Sequence, residues 1–145
     1  MQNIIQKILK EKDIDNLAPE TRRELKRYLV QLDKKQKNNK IRTDFMTFVK
    51  HMWPDFIEGE HHRTIAEKFN KLRTGELKRL IVNMPPRHTK SEFASFLLPA
   101  WMIGRNPKMK IMQVSHNAEL ASRFGSKVRN LMNSREYKQI QILYV

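Results

Sequence analysis

The chain has 145 residues, with 29 Lys and Arg against 15 Asp and Glu, a formal net charge of +14. At 39% hydrophobic it can bury a core, which excludes wholesale disorder. It has no cysteine, which excludes disulfide scaffolds, thiolate zinc sites and cysteine nucleophiles and fits a reducing compartment.

This length suits one domain or part of a larger one. The positive excess points to an anionic partner: nucleic acid, nucleotide or membrane surface. Solubility is the plainer explanation of the same charge. The longest nearly apolar run, Phe93 to Gly104, is too short to span a bilayer and contains Pro99. The N-terminus MQNIIQKILKEKD lacks the apolar region and cleavage site of a secretory signal. A cytosolic protein without a membrane segment is expected.

Residues 2–11 are weakly helical, with Ile4, Ile5, Ile8 and Leu9 on one side. Pro19 opens a second helix, where its missing N–H has no intrahelical partner. Leu25, Tyr28, Leu29 and Leu32 line one face of it. The polar, basic stretch Lys34 to Arg42 is the best linker candidate. It divides a helical extension over 1–42 from a second part over 43–145. Thr43 or Asp44 is placed to cap the next helix, in which Phe45, Phe48, Val49, Met52 and Trp53 repeat at helical spacing. Trp53-Pro54 ends it.

Residues 61–73 return to a helical period through Ile65, Ala66, Phe69 and Leu72, and Gly75 stops that helix. LKRLIVNM, residues 77–84, is apolar and β-branched, as a buried strand would be. A helix is expected over 91–103, with Phe93, Phe96, Leu97, Ala100 and Trp101 as its stripe. MKIMQVS, residues 109–115, reads as a second buried strand. Asn117 then caps a helix carrying Leu120, Ala121, Phe124, Val128 and Leu131. Strand, loop, helix, strand, helix predicts an α/β fold, with a parallel pair joined by a right-handed crossover. Ligands in such folds sit at the loop leaving the first strand.

That loop is MPPRHTKS, Met84 to Ser91. The usual phosphate-binding pattern is G-x-x-x-x-G-K followed by Ser or Thr. Met84 and Thr89 stand at the two glycines, while Lys90 and Ser91 match. Pro85 and Pro86 donate no N–H, so backbone donors run from Arg87 through Ser91; the prolines stiffen the loop. Lys90 suits the β- and γ-phosphates as a mobile point charge, and Ser91 suits a Mg²⁺ ligand. Arg87 adds a second cation, and His88 either donates a hydrogen bond or shapes the turn. The plainer alternative is a Pro-rich connector, with Ser91 as an ordinary helix cap and Lys90 solvated.

The wording from Phe45 to Lys138, above all PPRHTKS and the segment SHNAELA from Ser115 to Ala121, resembles the large terminase subunit of tailed bacteriophages. Members of that family carry PPRH, then Gly or Thr, then KS in place of the usual Walker A loop. The resemblance implies an incomplete P-loop NTPase of the additional-strand type, the N-terminal ATPase part of a motor that packages double-stranded DNA into procapsids. It implies ATP and Mg²⁺ as cofactors, with Arg87, His88, Thr89, Lys90 and Ser91 at the nucleotide and Ser91 on Mg²⁺. It implies a portal protein and a small terminase subunit as partners, a homo-oligomeric ring for the full-length motor, and the cytoplasm of an infected bacterial host. Where the family holds adenine with a glutamine motif, this chain reads HHRTIAEKF, and His62 near the glutamine's position is the candidate adenine contact. Read without the resemblance, His61 and His62 are a helix-start pair near solvent. Ser115 to Ala121 is either a segment coupling nucleotide to DNA or simply a cap and core.

Arg123 and Lys127, four residues apart on one helix, are candidate DNA-phosphate contacts. A solvated basic face is the commoner outcome. No run of apolar residues followed by Asp-Glu occurs, so the Walker B region and the catalytic glutamate are expected to lie outside this chain, as is the family's nuclease domain. A fragment that at most binds nucleotide is the expectation, with exposed sheet edges and a tendency to aggregate. The alternative from another class is a non-catalytic basic DNA-binding or adaptor protein derived from the same fold. A small P-loop kinase would need more sheet than this length supplies.

Overall fold

A computed structural model describes residues 18–141. The helix expected over 2–11 and the last residues of IQILYV lie outside that range. By contacts the chain divides into two units, one ending at Lys37 and one beginning at Asn38. Helix α1, Pro19–Thr43, runs through both. In the first unit Leu25, Leu29 and Leu32 are half-buried, while Tyr28 and Val30 are exposed.

The linker expected over Lys34 to Arg42 is helical instead. Lys, Gln and Arg are good helix formers, and no Pro or Gly interrupts the run. Its last turns are held at Asn38 and Ile41, both buried.

The second unit continues with α2 (Phe45–Met52), α3 (Glu60–Thr74), a π-helical segment (Glu92–Leu97), α4 (Leu98–Arg105), α5 (Ala118–Asn133) and α6 (Arg135–Gln141). Asp44 caps α2, as its position predicts: its carboxylate accepts from the Thr47 N–H at 2.8 Å. The other Asp44 oxygen accepts from Asn70 Nδ2 at 2.9 Å, and Asn70 Oδ1 accepts from the Phe45 N–H at 2.9 Å. This pair of side chains therefore ties the start of α2 to α3. Gly75 ends α3 at φ +79°, a conformation that favours glycine.

Phe45, fully buried, sits where these elements meet. Its ring meets Phe69, Phe93 and Trp101 edge-on, with centroids 5.1, 5.5 and 5.3 Å away. Trp101 Nε1 donates to the Ile41 carbonyl at 3.1 Å, and the Tyr137 hydroxyl donates to the Ala100 carbonyl at 2.7 Å. Arg42 donates to the Ile140 carbonyl, closing the end of α6.

The α/β expectation is overturned: the described residues contain helices and no strand, and so no parallel pair. Residues 77–85 and 108–115 are non-helical connectors between helices. Along the first, half-buried Leu80, Val82 and Met84 alternate with exposed Ile81 and Asn83. The period-two pattern is therefore kept, one side leaning on the core. What is missing is the ladder: a β-branched run becomes a strand only when a neighbour pairs with its backbone. Ile81, Met112 and Val114 are accordingly 93%, 87% and 83% exposed.

Phe45→Ala is expected to cost about 3–5 kcal/mol, read as a shifted denaturant midpoint. Burial pushes the Asp44 carboxyl up, but the hydrogen bonds from Thr47 and Asn70 outweigh it and leave it below its ordinary 3.8. Stability from this group is thus complete above pH 3.8 and lost as pH falls through the lower folded value. Asp44→Ala is expected to cost about 1 kcal/mol at neutral pH and to flatten the acid limb of a stability–pH curve.

Candidate phosphate-binding loop

Met84 to Ser91 joins the extended segment to a helix that begins at Lys90. Arg87 and Thr89 have φ of +65° and +57°, in the left-handed region that non-glycine residues seldom adopt. For Thr89, β-branched, such a conformation costs about 1–2 kcal/mol. Left-handed residues alternating with right-handed ones are also the backbone pattern on which anion-binding nests are built.

His62 holds this shape from below. Its Nδ1 accepts from the Gly59 N–H at 2.9 Å, which fixes the proton on Nε2. Nε2 lies 2.7 Å from Thr89 Oγ1 and donates to it; the Thr89 hydroxyl donates in turn to the His88 carbonyl at 2.7 Å. Phe56 and Phe93 flank the imidazole, with centroids 4.8 and 5.2 Å away. His62 is 6% exposed. Both ring nitrogens being engaged within the chain, it supports the loop rather than standing open to solvent as a helix-start residue. A methyl group at Gly59 would come 2.8 Å from the end of the exposed His61 ring, which would have to swing aside to admit it.

Of the loop residues, Arg87, His88 and Ser91 are exposed, and Thr89 and Lys90 are half-buried. His88 Nδ1 bonds the Pro86 carbonyl at 2.9 Å, so His88 shapes the turn. Lys90 Nζ reaches back across the loop to the Met84 carbonyl at 3.3 Å and is not simply solvated. Ser91 is helical, at φ −71° and ψ −35°, and its hydroxyl makes no cap bond. The ordinary-cap role therefore does not occupy it. A hydroxyl beside a lysine suits Mg²⁺ delivered on phosphates, since that ion takes few protein ligands when phosphates supply the rest. Among the described residues no group of three or more His, Cys, Asp or Glu is placed to hold a metal by itself.

The helix leaving the loop carries a feature the helical period did not reveal. Glu92–Leu97 is π-helical, the Leu98 N–H bonding the Phe93 carbonyl. Pro99 has no N–H to offer the Ser95 carbonyl, and Gln113 Nε2 donates to it instead. Pro99 within an apolar helical run was the available signal.

Lys127 pairs with Glu92 at 2.9 Å and lies over the Phe96 and Phe124 rings. The structure thus engages Lys127 beside the loop, while Arg123 is exposed on the same helix. Asn117 is a helix cap, accepting from the Glu119 N–H at 2.7 Å. A cavity of about 400 Å³ lies between α3, at His61, Thr64 and Lys68, and residues 80–84, reaching the loop at Met84.

No family model, curated protein or solved structure matches the chain. Among the described residues no helix is long and apolar enough to cross a membrane.

Thr89→Val, which keeps the shape and removes the hydroxyl, is expected to cost about 1–2 kcal/mol in denaturant unfolding. Burial, then the neighbouring His61 and His88, push His62 below its ordinary 6.5, with Glu58 opposing. Neutral His62 therefore contributes stability that is complete above pH 6.5 and is lost as pH falls through its lower folded value. An NMR titration is expected to place the His62 midpoint below 6.5.

Proposed function

We propose that Met84 to Ser91 bind the phosphates of ATP with Mg²⁺, and that the chain serves this site in an ATP-driven machine that packages double-stranded DNA. The observation that carries the binding reading is the Lys90 ammonium lying across a loop folded back on itself, 3.3 Å from the Met84 carbonyl. That neutral partner is one a phosphate oxygen replaces with a stronger, charge-assisted bond. Lys90 then holds the β- and γ-phosphates, and the loop N–H groups from Arg87 onward complete the cradle. Exposed Arg87 approaches from the solvent side. Ser91 would offer its hydroxyl to Mg²⁺, which would supply charge neutralisation to the phosphates.

His62 enters as the post that fixes Thr89, and the neighbouring cavity is the place for the base. The packaging role, with its portal, small-subunit and ring partners, rests on the wording of residues 45–138 alone. The claim for this chain is binding; no hydrolytic step is assigned to its residues.

Lys90→Ala is expected to weaken binding of a fluorescent ATP analogue at least tenfold, and Ser91→Ala to remove its Mg²⁺ dependence. Equal affinity without the ammonium contradicts the loop reading. Salt-sensitive duplex binding indifferent to ATP favours the basic DNA-binding adaptor instead.

A further inference from the structure

A second cationic site lies away from the loop, where the ends of α3 and α4 come together. Arg73 is in the last turn of α3, and Arg105 ends α4. With Asn106, Met102 and Met109 they line a cavity of about 200 Å³. The Arg73 guanidinium is seated 5.3 Å from the centroid of the Trp101 ring, and Trp101 is itself only 3% exposed. The half-buried Arg73 thus lies against a fixed core ring.

Arginine in a last helical turn ordinarily offsets the helix dipole or bonds the final carbonyls. Arg73 Nε, beyond any such role of the side chain's charge, is buried and has no hydrogen-bond partner among the described residues. The ion pairs there are Lys50–Glu58, Arg63–Glu58, Lys71–Glu76 and Lys127–Glu92, and none includes Arg73 or Arg105. Burial and the nearby Arg105 charge both push the Arg73 guanidinium below its ordinary value, and among the described residues no carboxylate pairs with it. Asn106 Oδ1 accepts from the Lys108 N–H at 3.2 Å, which leaves the amide NH₂ as the end available to a ligand.

The set is thus donors only: two guanidinium forks and an amide around a small cavity with methionine walls. A ligand that matches it is small, anionic and made only of acceptors. A carboxylate is satisfied by one fork; forks from two helices suit the several oxygens of a tetrahedral group.

We propose that Arg73, Arg105 and Asn106 form a binding site for a phosphate group, separate from the Met84–Ser91 loop. The phosphate comes either from free phosphate or from a nucleic-acid backbone.

The test uses the full chain in a background of Arg87→Ala with Lys90→Ala, which removes both cations of the loop. Sodium phosphate is titrated at constant ionic strength with tryptophan emission as the readout, since Trp101 lies under Arg73. A short DNA duplex is titrated in parallel over a range of salt. Saturation by inorganic phosphate, weakened at least tenfold by Arg73→Gln and by Arg105→Gln, supports the site and assigns it free phosphate. Response to the duplex alone, with each variant lowering the salt slope by about one, supports the site and assigns it backbone phosphate. Arg105 is exposed, so its variant carries the test if Arg73→Gln fails to fold. Binding of both probes unchanged by the substitutions, or no saturable binding of either, overturns the proposal.

Discussion

Phe45 is the point on which the second unit depends. Its ring touches α3 through Phe69, the π-helical segment through Phe93 and α4 through Trp101, and its own N–H is held by Asn70. Edge-on aromatic contacts are directional, so one ring fixes the relative placement of three elements. The consequence reaches the loop. Phe93 packs on both Phe45 and His62, and His62 bonds Thr89. Thus the left-handed Thr89 is braced by the core itself.

Strain of this kind persists only where surrounding structure over-determines it. At Thr89 the determinants are distinct: the His62 bond, the hydroxyl's bond to the His88 carbonyl, and the Phe93 N–H on the Thr89 carbonyl at 2.9 Å. A glycine would reach the same backbone without cost but would be less fixed. The chain has instead a stiff, prolyl, threonine-bearing loop, and such stiffness lowers the entropy that ordering a loop would cost. The same logic applies to the guanidinium of Arg73, seated on Trp101 ahead of any ligand.

The helices were largely legible. Asp44, Gly75 and Asn117 mark ends that the structure keeps, because caps are local chemistry. The buried faces at Phe45, Phe48, Ile65, Phe69, Phe93 and Trp101 followed from helical spacing. The strands failed for the opposite reason. Periodicity in 77–84 specifies which side chains turn inward, but pairing depends on a neighbour that local pattern does not encode. The basic run from Lys34 is helical because composition resembling a linker is also composition that helices tolerate, though the boundary between the two units falls within it. In the loop, pattern singled out Lys90 and Ser91 as candidates, whereas the His62–Thr89 bond joins residues 27 apart and has no sequence signature. Arg73 and Arg105 carried no signal at all, being single basic residues at two helix ends.

The central claim is that the Met84–Ser91 loop receives the phosphates of a nucleotide. Amide hydrogen exchange of the full chain, with and without Mg²⁺–ATP, tests it most directly. The account predicts slowed exchange confined to N–H groups from Arg87 to Phe93, where the cradle and the helix start lie. Exchange in that segment unchanged at saturating nucleotide would contradict it.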